Sequence, residues 1–224
     1  MTRDDSTRNV HLSQEIFAQR TLDQFGMGDC NPKKTPFLPG INISDNDSPK
    51  TKADHQYICN KPYQEALGSL QWLQLCTWPD LVYAVSVLAR YQSAPGLWYW
   101  KALTHVLAYV WGTTHYRITY WSSLKNIFPV GYVNLKHPQQ LIDMEANHGS
   151  LICPNIPPFA FSDADYAKCS TDGHVFMLAG GPVFWTSKRQ PTVAQSTTAA
   201  EYTGLNRAAQ QALWITEWFK AIDI

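Results

Sequence analysis

The chain is 224 residues long, 45% apolar, and carries 18 basic and 18 acidic residues, which suits one large packed domain or two small ones. A formal net charge of zero excludes a protein that grips nucleic acid by bulk charge, because phosphate contacts need an excess of Lys and Arg. A local basic face stays open, although no stretch of the sequence is clearly basic.

In chain order, residues 1–19 are polar, with a short alternation at Val10-His-Leu12 that suggests a hairpin or edge strand. Ser13 is placed to cap a helix over 14–25, with Ile16, Phe17, Leu22 and Phe25 near helical spacing and Gly26 as its stop. Residues 30–60 carry Pro32, Pro36, Pro39 and Pro49 among polar residues and read as an extended linker. Three helices follow. The first spans Tyr63–Cys76, with Leu67, Leu70, Leu73 and Leu75 on one apolar face. The second starts at Thr77-Trp-Pro-Asp80, where Thr77 can cap and Pro79 fits a first turn. It runs to about Gln92 with Leu81, Ala84, Val85, Leu88 and Tyr91 facing one way. The third spans Trp98–Trp111 and ends at Gly112. Tyr116–Trp121 alternates as a strand. Residues 122–158 show no periodicity and read as a loop or insertion. Strands are then expected at Phe159–Asp165, His174–Leu178 and Pro182–Lys188, the last two joined by Gly180-Gly181. A helix over 198–221 closes the pattern, with Tyr202, Leu205, Ala209, Leu213 and Phe219 near one face.

Five scattered cysteines without a C-x-x-C pair argue against a zinc site or a disulfide framework and fit a reducing compartment. No signal peptide and no membrane-length apolar run is visible. An intracellular protein without a membrane partner is expected, with cytoplasm and nucleus undistinguished.

The chemistry-bearing segment is Phe161-Ser-Asp-Ala-Asp165, followed after a hairpin by Gln195-Ser-Thr-Thr-Ala-Ala-Glu201-Tyr202. An acidic residue on a strand and a Glu at the start of the next helix can begin a metal-binding carboxylate cluster. Structural roles compete. Thr198-Ala-Ala-Glu201 has the spacing of a capping box, and Asp163 at a strand end can serve a turn. Asp165 shares the alternation parity of Asp163 one pleat further on, and Asp172 reads as a residue in or near a turn. Ser196-Thr-Thr198 is a helix entry without His-Asp partners. Trp98, Trp100 and Trp111 read as helix packing, with base stacking as the alternative.

Several segments, in a fixed order, resemble the copia-type retrotransposon polyprotein. They are Phe25-Gly-Met-Gly-Asp-Cys30, Tyr63-Gln-Glu-Ala-Leu-Gly-Ser-Leu70, Thr77-Trp-Pro-Asp80, Tyr83-Ala-Val85, His105-Val-Leu-Ala-Tyr-Val-Trp-Gly-Thr113, Phe161-Ser-Asp-Ala-Asp165, Thr186-Ser-Lys-Arg-Gln190 and Ala200-Glu-Tyr202. They match the region after the reverse-transcriptase palm and then the start of ribonuclease H. Trp78 departs from this pattern, standing where the family usually has Arg.

The resemblance implies an α+β chain of three parts: a mostly helical thumb and connection module at 1–121, a loop or insertion at 122–158, and the opening half of a ribonuclease H-like domain at 159–224. It implies cleavage of the RNA strand of RNA–DNA hybrids, with Asp163 and Glu201 as catalytic, metal-ligating carboxylates for Mg²⁺ or Mn²⁺. The family's other two carboxylates are expected beyond Ile224 and its polymerase motif upstream of Met1; Asp4-Asp5 lacks the apolar hairpin of that motif. Two carboxylates bring about −2 of charge against about +4 from two divalent ions, so an incomplete centre is expected. Nucleic acid is the expected partner, with self-association or a complementing chain through an open edge of strand 159–165. The alternatives are a non-catalytic nucleic-acid or protein-binding module and a gene-model remnant with no function of its own.

Overall fold

The structure, a computed structural model, describes residues 1–37, 52–122, 159–165, 171–191 and 194–221. The elements in order are strands β1 (Thr2–Arg3) and β2 (Val10–Leu12), helices α1 (Glu15–Gln24), α2 (Lys52–Cys59) and α3 (Tyr63–Cys76), a 3₁₀ turn at Pro79–Leu81, helices α4 (Val82–Ala89) and α5 (Leu97–Gly112), strands β3 (Ile118–Tyr120), β4 (Phe159–Asp165), β5 (Thr171–Leu178) and β6 (Gly181–Arg189), and helix α6 (Thr197–Ala221). Helices and two small sheets together make a mixed α+β protein. The chain divides into a helical unit of Ser13–Arg117 with Thr186–Lys188, and a second unit of Met1–Leu12, Ile118–Trp185 and Arg189–Ile224. Residues 1–12 and 118–121, read from sequence with the helices, thus fall in the second unit.

In the helical unit, each helix turns an apolar stripe inward. Tyr63, Ala66, Leu67, Leu70 and Leu73 of α3 meet Leu81, Ala84, Val85 and Leu88 around α4, and Leu103, Val106, Leu107 and Val110 of α5 complete the core. Leu75, expected on the buried face of α3, is 65% exposed; it lies two residues past Leu73, which at 3.6 residues per turn rotates it off the stripe. Ser13 does not cap α1 directly: Gln14 is the N-cap residue, and the Ser13 hydroxyl accepts the Glu15 N–H. At the other end, Gly26 adopts φ +66°. Its N–H reaches the Asp23 carbonyl while the Met27 N–H reaches that of Leu22, a complete Schellman stop. The expected linker over 30–60 needs correction at 52–59, which form α2; no Pro or Gly interrupts that stretch. Residues 38–51 lie outside the described residues. Gly112 is the last residue of α5 and Thr113, not the expected glycine, is its C-cap; the small Gly112 instead makes room for Pro32. A Cβ there would stand 3.0 Å from Pro32 Cβ.

Trp78 is 1% exposed, packed in the helical core. Its indole N–H has no hydrogen-bond partner, so this position contributes apolar packing where the resemblance expects a basic residue. Two phenols tie the helices together: Tyr63 donates to the Leu88 carbonyl at 3.0 Å, and Tyr109 donates to Asp80. Burial pushes both phenols well above the usual tyrosine range, with the Asp80 bond adding to the shift at Tyr109. A folded-state value above the unfolded one means the neutral phenol is favoured by folding. That stability is fully present below about pH 10 and is lost as pH rises through the raised values. The urea midpoint of the helical unit is therefore expected to fall between about pH 8 and about pH 11, and Tyr63→Phe is expected to flatten the fall. A midpoint independent of pH in this window would contradict it.

In the second unit, β2 is the central strand of the sheet β1-β2-β3, with Val10 opposite Tyr120 and Leu12 opposite Ile118. Asp4 organises the β1–β2 turn, its carboxylate accepting from the Ser6 N–H and from the Ser6 and Thr7 hydroxyls. These bonds hold it well below the usual carboxylate range. Asp4 is thus a turn residue. The second sheet runs β4-β5-β6. Its hairpin loop is Ala179-Gly180, both with positive φ (+49° and +77°), as a two-residue primed turn requires. The turn sits one residue earlier than Gly180-Gly181. Gly181 belongs to β6, where a Cβ would lie 2.7 Å from the Tyr120 ring. The Tyr120 hydroxyl donates to the Pro182 carbonyl, and the Trp121 N–H to that of Ala179.

Helix α6 covers β4 and β5 with Ala200, Gly204, Ala208, Ile215 and Phe219 buried. Phe176, Ile215 and Phe219 form the small core beneath it. Of the face expected from the sequence only Phe219 holds; Tyr202 is 69% and Leu213 70% exposed. The seated face runs through small residues, which let helix and sheet approach closely.

Candidate functional site

Asp163 lies on β4 opposite Gly173, in an antiparallel register running from Phe159↔Met177 to Asp165↔Thr171. It is exposed. Its Oδ1 accepts the Ala164 N–H at 2.9 Å. Among the described residues β4 has a sheet partner on one side only, so this main-chain donor is satisfied by a carboxylate rather than by another strand. Asp165 closes the same strand.

Glu201 lies in the second turn of α6 and is also exposed. The helix is entered through Ser196, whose hydroxyl accepts the Ala199 N–H at 3.1 Å. Ser196 is therefore the capping side chain and Ala199 occupies the third helical position. The cap lies two residues before the expected Thr198, so Thr198 and Glu201 form no capping box, and Glu201 makes no hydrogen bond or ion pair among the described residues.

Three contacts fix α6 near β4, and pattern reading found none of them. Gly204, one turn after Glu201, presses on the sheet: a Cβ there would stand 3.3 Å from Asp172 Cβ, 3.4 Å from Ala164 Cβ and 3.7 Å from the Asp163 carbonyl oxygen. Only glycine admits this approach without displacement. Gln190, just past β6, donates from its side-chain amide to the Ala200 carbonyl at 2.8 Å. Asp172, expected near a turn, is inside β5, 1% exposed, and paired with Arg207 of α6. The Asp172-Gly173 sequence signals a turn locally, but the pairing with Arg207 lets the carboxylate enter a buried strand position.

The main chains carrying Asp163 and Glu201 are thus brought together. Their side chains are not gathered into one cluster. Ala164 and its partner Asp172 face α6, so alternation turns Asp163 to the opposite face of the sheet. No group of three or more His, Cys, Asp or Glu side chains among the described residues is arranged to hold a metal ion. Two exposed carboxylates offer the hard oxygen ligands that Mg²⁺ and Mn²⁺ prefer; they do not by themselves fit a two-ion centre. No helix among the described residues is long and apolar enough to cross a membrane.

No protein-family model matches the chain, and no solved structure matches it. Among known proteins it is similar to the retrovirus-related Pol polyprotein from transposon TNT 1-94 of Nicotiana tabacum. The identity is 30% over 224 residues, covering 100% of the chain and 15% of that polyprotein. It is 35% identical over 162 residues to the secreted RxLR effector protein 161 of Plasmopara viticola, covering 70% of the chain and 93% of that protein. It is 30% identical over 210 residues to an uncharacterized mitochondrial protein of Arabidopsis thaliana, covering 92% of the chain and 72% of that protein. The chain corresponds to a small part of the Pol polyproteins and to most of the two shorter proteins, and the aligned residues run through both units. The chain belongs to the copia-type retrotransposon Pol family.

Proposed function

We propose that this chain is the connection and ribonuclease H-opening segment of a copia-type Pol protein, supplying Asp163 and Glu201 as two of the carboxylates of a hybrid-cleaving metal centre. Asp163 and Glu201 would help hold Mg²⁺ or Mn²⁺, which when bound would supply activation of the attacking water and stabilisation of the entering and leaving oxygens. Among the described residues no third carboxylate joins them, and a further ligand would be supplied by another segment of the polypeptide or by a second chain. The outer edge of β4 suits either source, because an added strand there would pair with main-chain groups beside Asp163.

The observation that carries this reading is the state of Glu201. It sits one turn from the Gly204 contact with the Asp163–Ala164 main chain, while Ser196 has taken the capping role. A glutamate relieved of a structural task, on an element pressed against the strand of the acidic motif, is available for ligation. Cleavage of an RNA–DNA hybrid by the purified chain with Mg²⁺ or Mn²⁺ is the functional test, beside an Asp163→Asn/Glu201→Gln control. The chain alone is expected to cleave no faster than the control. Cleavage by the chain alone that the double substitution abolishes would show that these residues suffice and overturn the incomplete-centre reading.

A further inference from the structure

We propose that the outer face of α6 is a contact surface for a second copy of this chain. Tyr202, Leu205, Ala209, Leu213, Thr216 and Lys220 recur at steps of three or four residues along the helix. At 3.6 residues per turn that spacing places all six on one strip, and all six are exposed. The helix itself therefore joins them into one surface. Tyr202 is 69%, Leu205 56% and Leu213 70% exposed. Trp214, next to Leu213 and 58% exposed, widens the strip on one side.

The seated face of α6 carries the small residues Ala200, Gly204 and Ala208, so the larger apolar side chains of that half of the helix are the ones left in water. Further along, Ile215 and Phe219 are buried while Leu213 and Trp214 point outward. A helix that is apolar on both sides suits an interior, yet only one side of α6 has a sheet beneath it. Area and charge select a copy of the same chain as the occupant. Two rings of about 150–250 Å² each, both more than half exposed, with two leucines give roughly 500 Å² per copy. Two copies then bury about 1,000 Å², the lower bound for a specific interface. The one charge on the strip, Lys220, is paired with Glu217 at 2.8 Å, and the chain has a formal net charge of zero. Two copies therefore meet without charge repulsion. Ala209 leaves a shallow gap between Leu205 and Leu213, into which a leucine of the second copy can pack, as ridges fill grooves between paired helices. The same strip thus supplies both ridge and groove, as a two-fold contact requires.

This contact uses neither Asp163 nor the edge of β4 and needs no divalent ion, so its failure is separable from that of the carboxylate reading. The measurement is sedimentation velocity of the full chain in chelator and reductant, the latter because Cys59 is exposed and free. Over roughly 1 to 100 µM, the range suited to an interface of this size, the 25.4 kDa chain is expected to pass from monomer to dimer. Leu205→Glu/Leu213→Glu is expected to weaken association by at least about 100-fold, because like charges then face each other across the contact. Both positions are exposed, so the substitutions leave the fold intact, which unchanged circular dichroism would verify. Leu75→Glu, at a 65% exposed apolar residue of the helical unit, is expected to leave the dimer unchanged. A chain that stays monomeric throughout would overturn the proposal. So would a dimer that survives Leu205→Glu/Leu213→Glu, or one that Leu75→Glu disrupts equally.

Discussion

Replacing Arg207 with Met is expected to destabilise the second unit by about 3 kcal/mol, the lower end of what removing one partner from a buried ion pair costs. Asp172 is 1% exposed, and without the guanidinium its charge is left buried. The lower end applies because the Arg207 side chain is 30% exposed, so water can reach part of the site. Asp172→Asn combined with Arg207→Met removes the stranded charge and is expected to recover most of the loss, a coupling that the double-mutant cycle reads directly. The readout is amide hydrogen exchange in the β4–β5 ladder, where about 3 kcal/mol corresponds to protection lowered by roughly 100-fold. Protection unchanged in Arg207→Met would mean that the pair does not hold α6 on the sheet.

The second large effect lies in the helical unit. Leu103 of α5 is fully buried among α3, α4 and α5 side chains. Truncating it to Ala removes its transfer free energy and leaves a cavity, together about 3 kcal/mol. Leu75→Ala, on the exposed side of α3, is expected to change stability by less than about 0.5 kcal/mol. Urea denaturation of the two variants separates them. Equal effects would mean that the helices are rotated from the faces described.

The helical unit was legible in the sequence to the extent that its punctuation is local. Tyr63–Cys76 has the bounds expected from leucine spacing, and Leu81, Ala84, Val85 and Leu88 face the core as expected. These signals need nothing beyond one turn of chain. The misreading of α6 has a different cause. Tyr202, Leu205, Ala209 and Leu213 form an apolar stripe of helical period, and periodicity alone points that stripe inward. The structure instead seats the side carrying Ala200, Gly204 and Ala208, because close approach to β4 and β5 depends on small side chains. A hydrophobicity pattern gives glycine no weight, although Gly204 determines how near Glu201 comes to the acidic strand.

The same limit applies to the candidate site. Motif order marks Asp163 and Glu201 in the sequence as the proposed ligands. Gln190, Asp172 and Arg207 carry no such mark, because each matters through a partner distant in sequence. The Asp172-Gly173 pair even carries the local signature of a turn, which the ladder with β4 overrides. Ser196 rather than Thr198 caps α6, and a two-residue shift in a helix start is beyond what spacing resolves. That shift frees Glu201.

The central proposal is that Asp163 and Glu201 each contribute a carboxylate to one divalent-ion centre. The most direct measurement is broadening of backbone amide resonances in the isotopically labelled chain at substoichiometric Mn²⁺. Broadening centred together on Asp163–Asp165 and on the first turns of α6, and lost from both segments in Asp163→Asn and in Glu201→Gln, is the result predicted. Broadening confined to one segment, or unaffected by either substitution, would contradict the shared site.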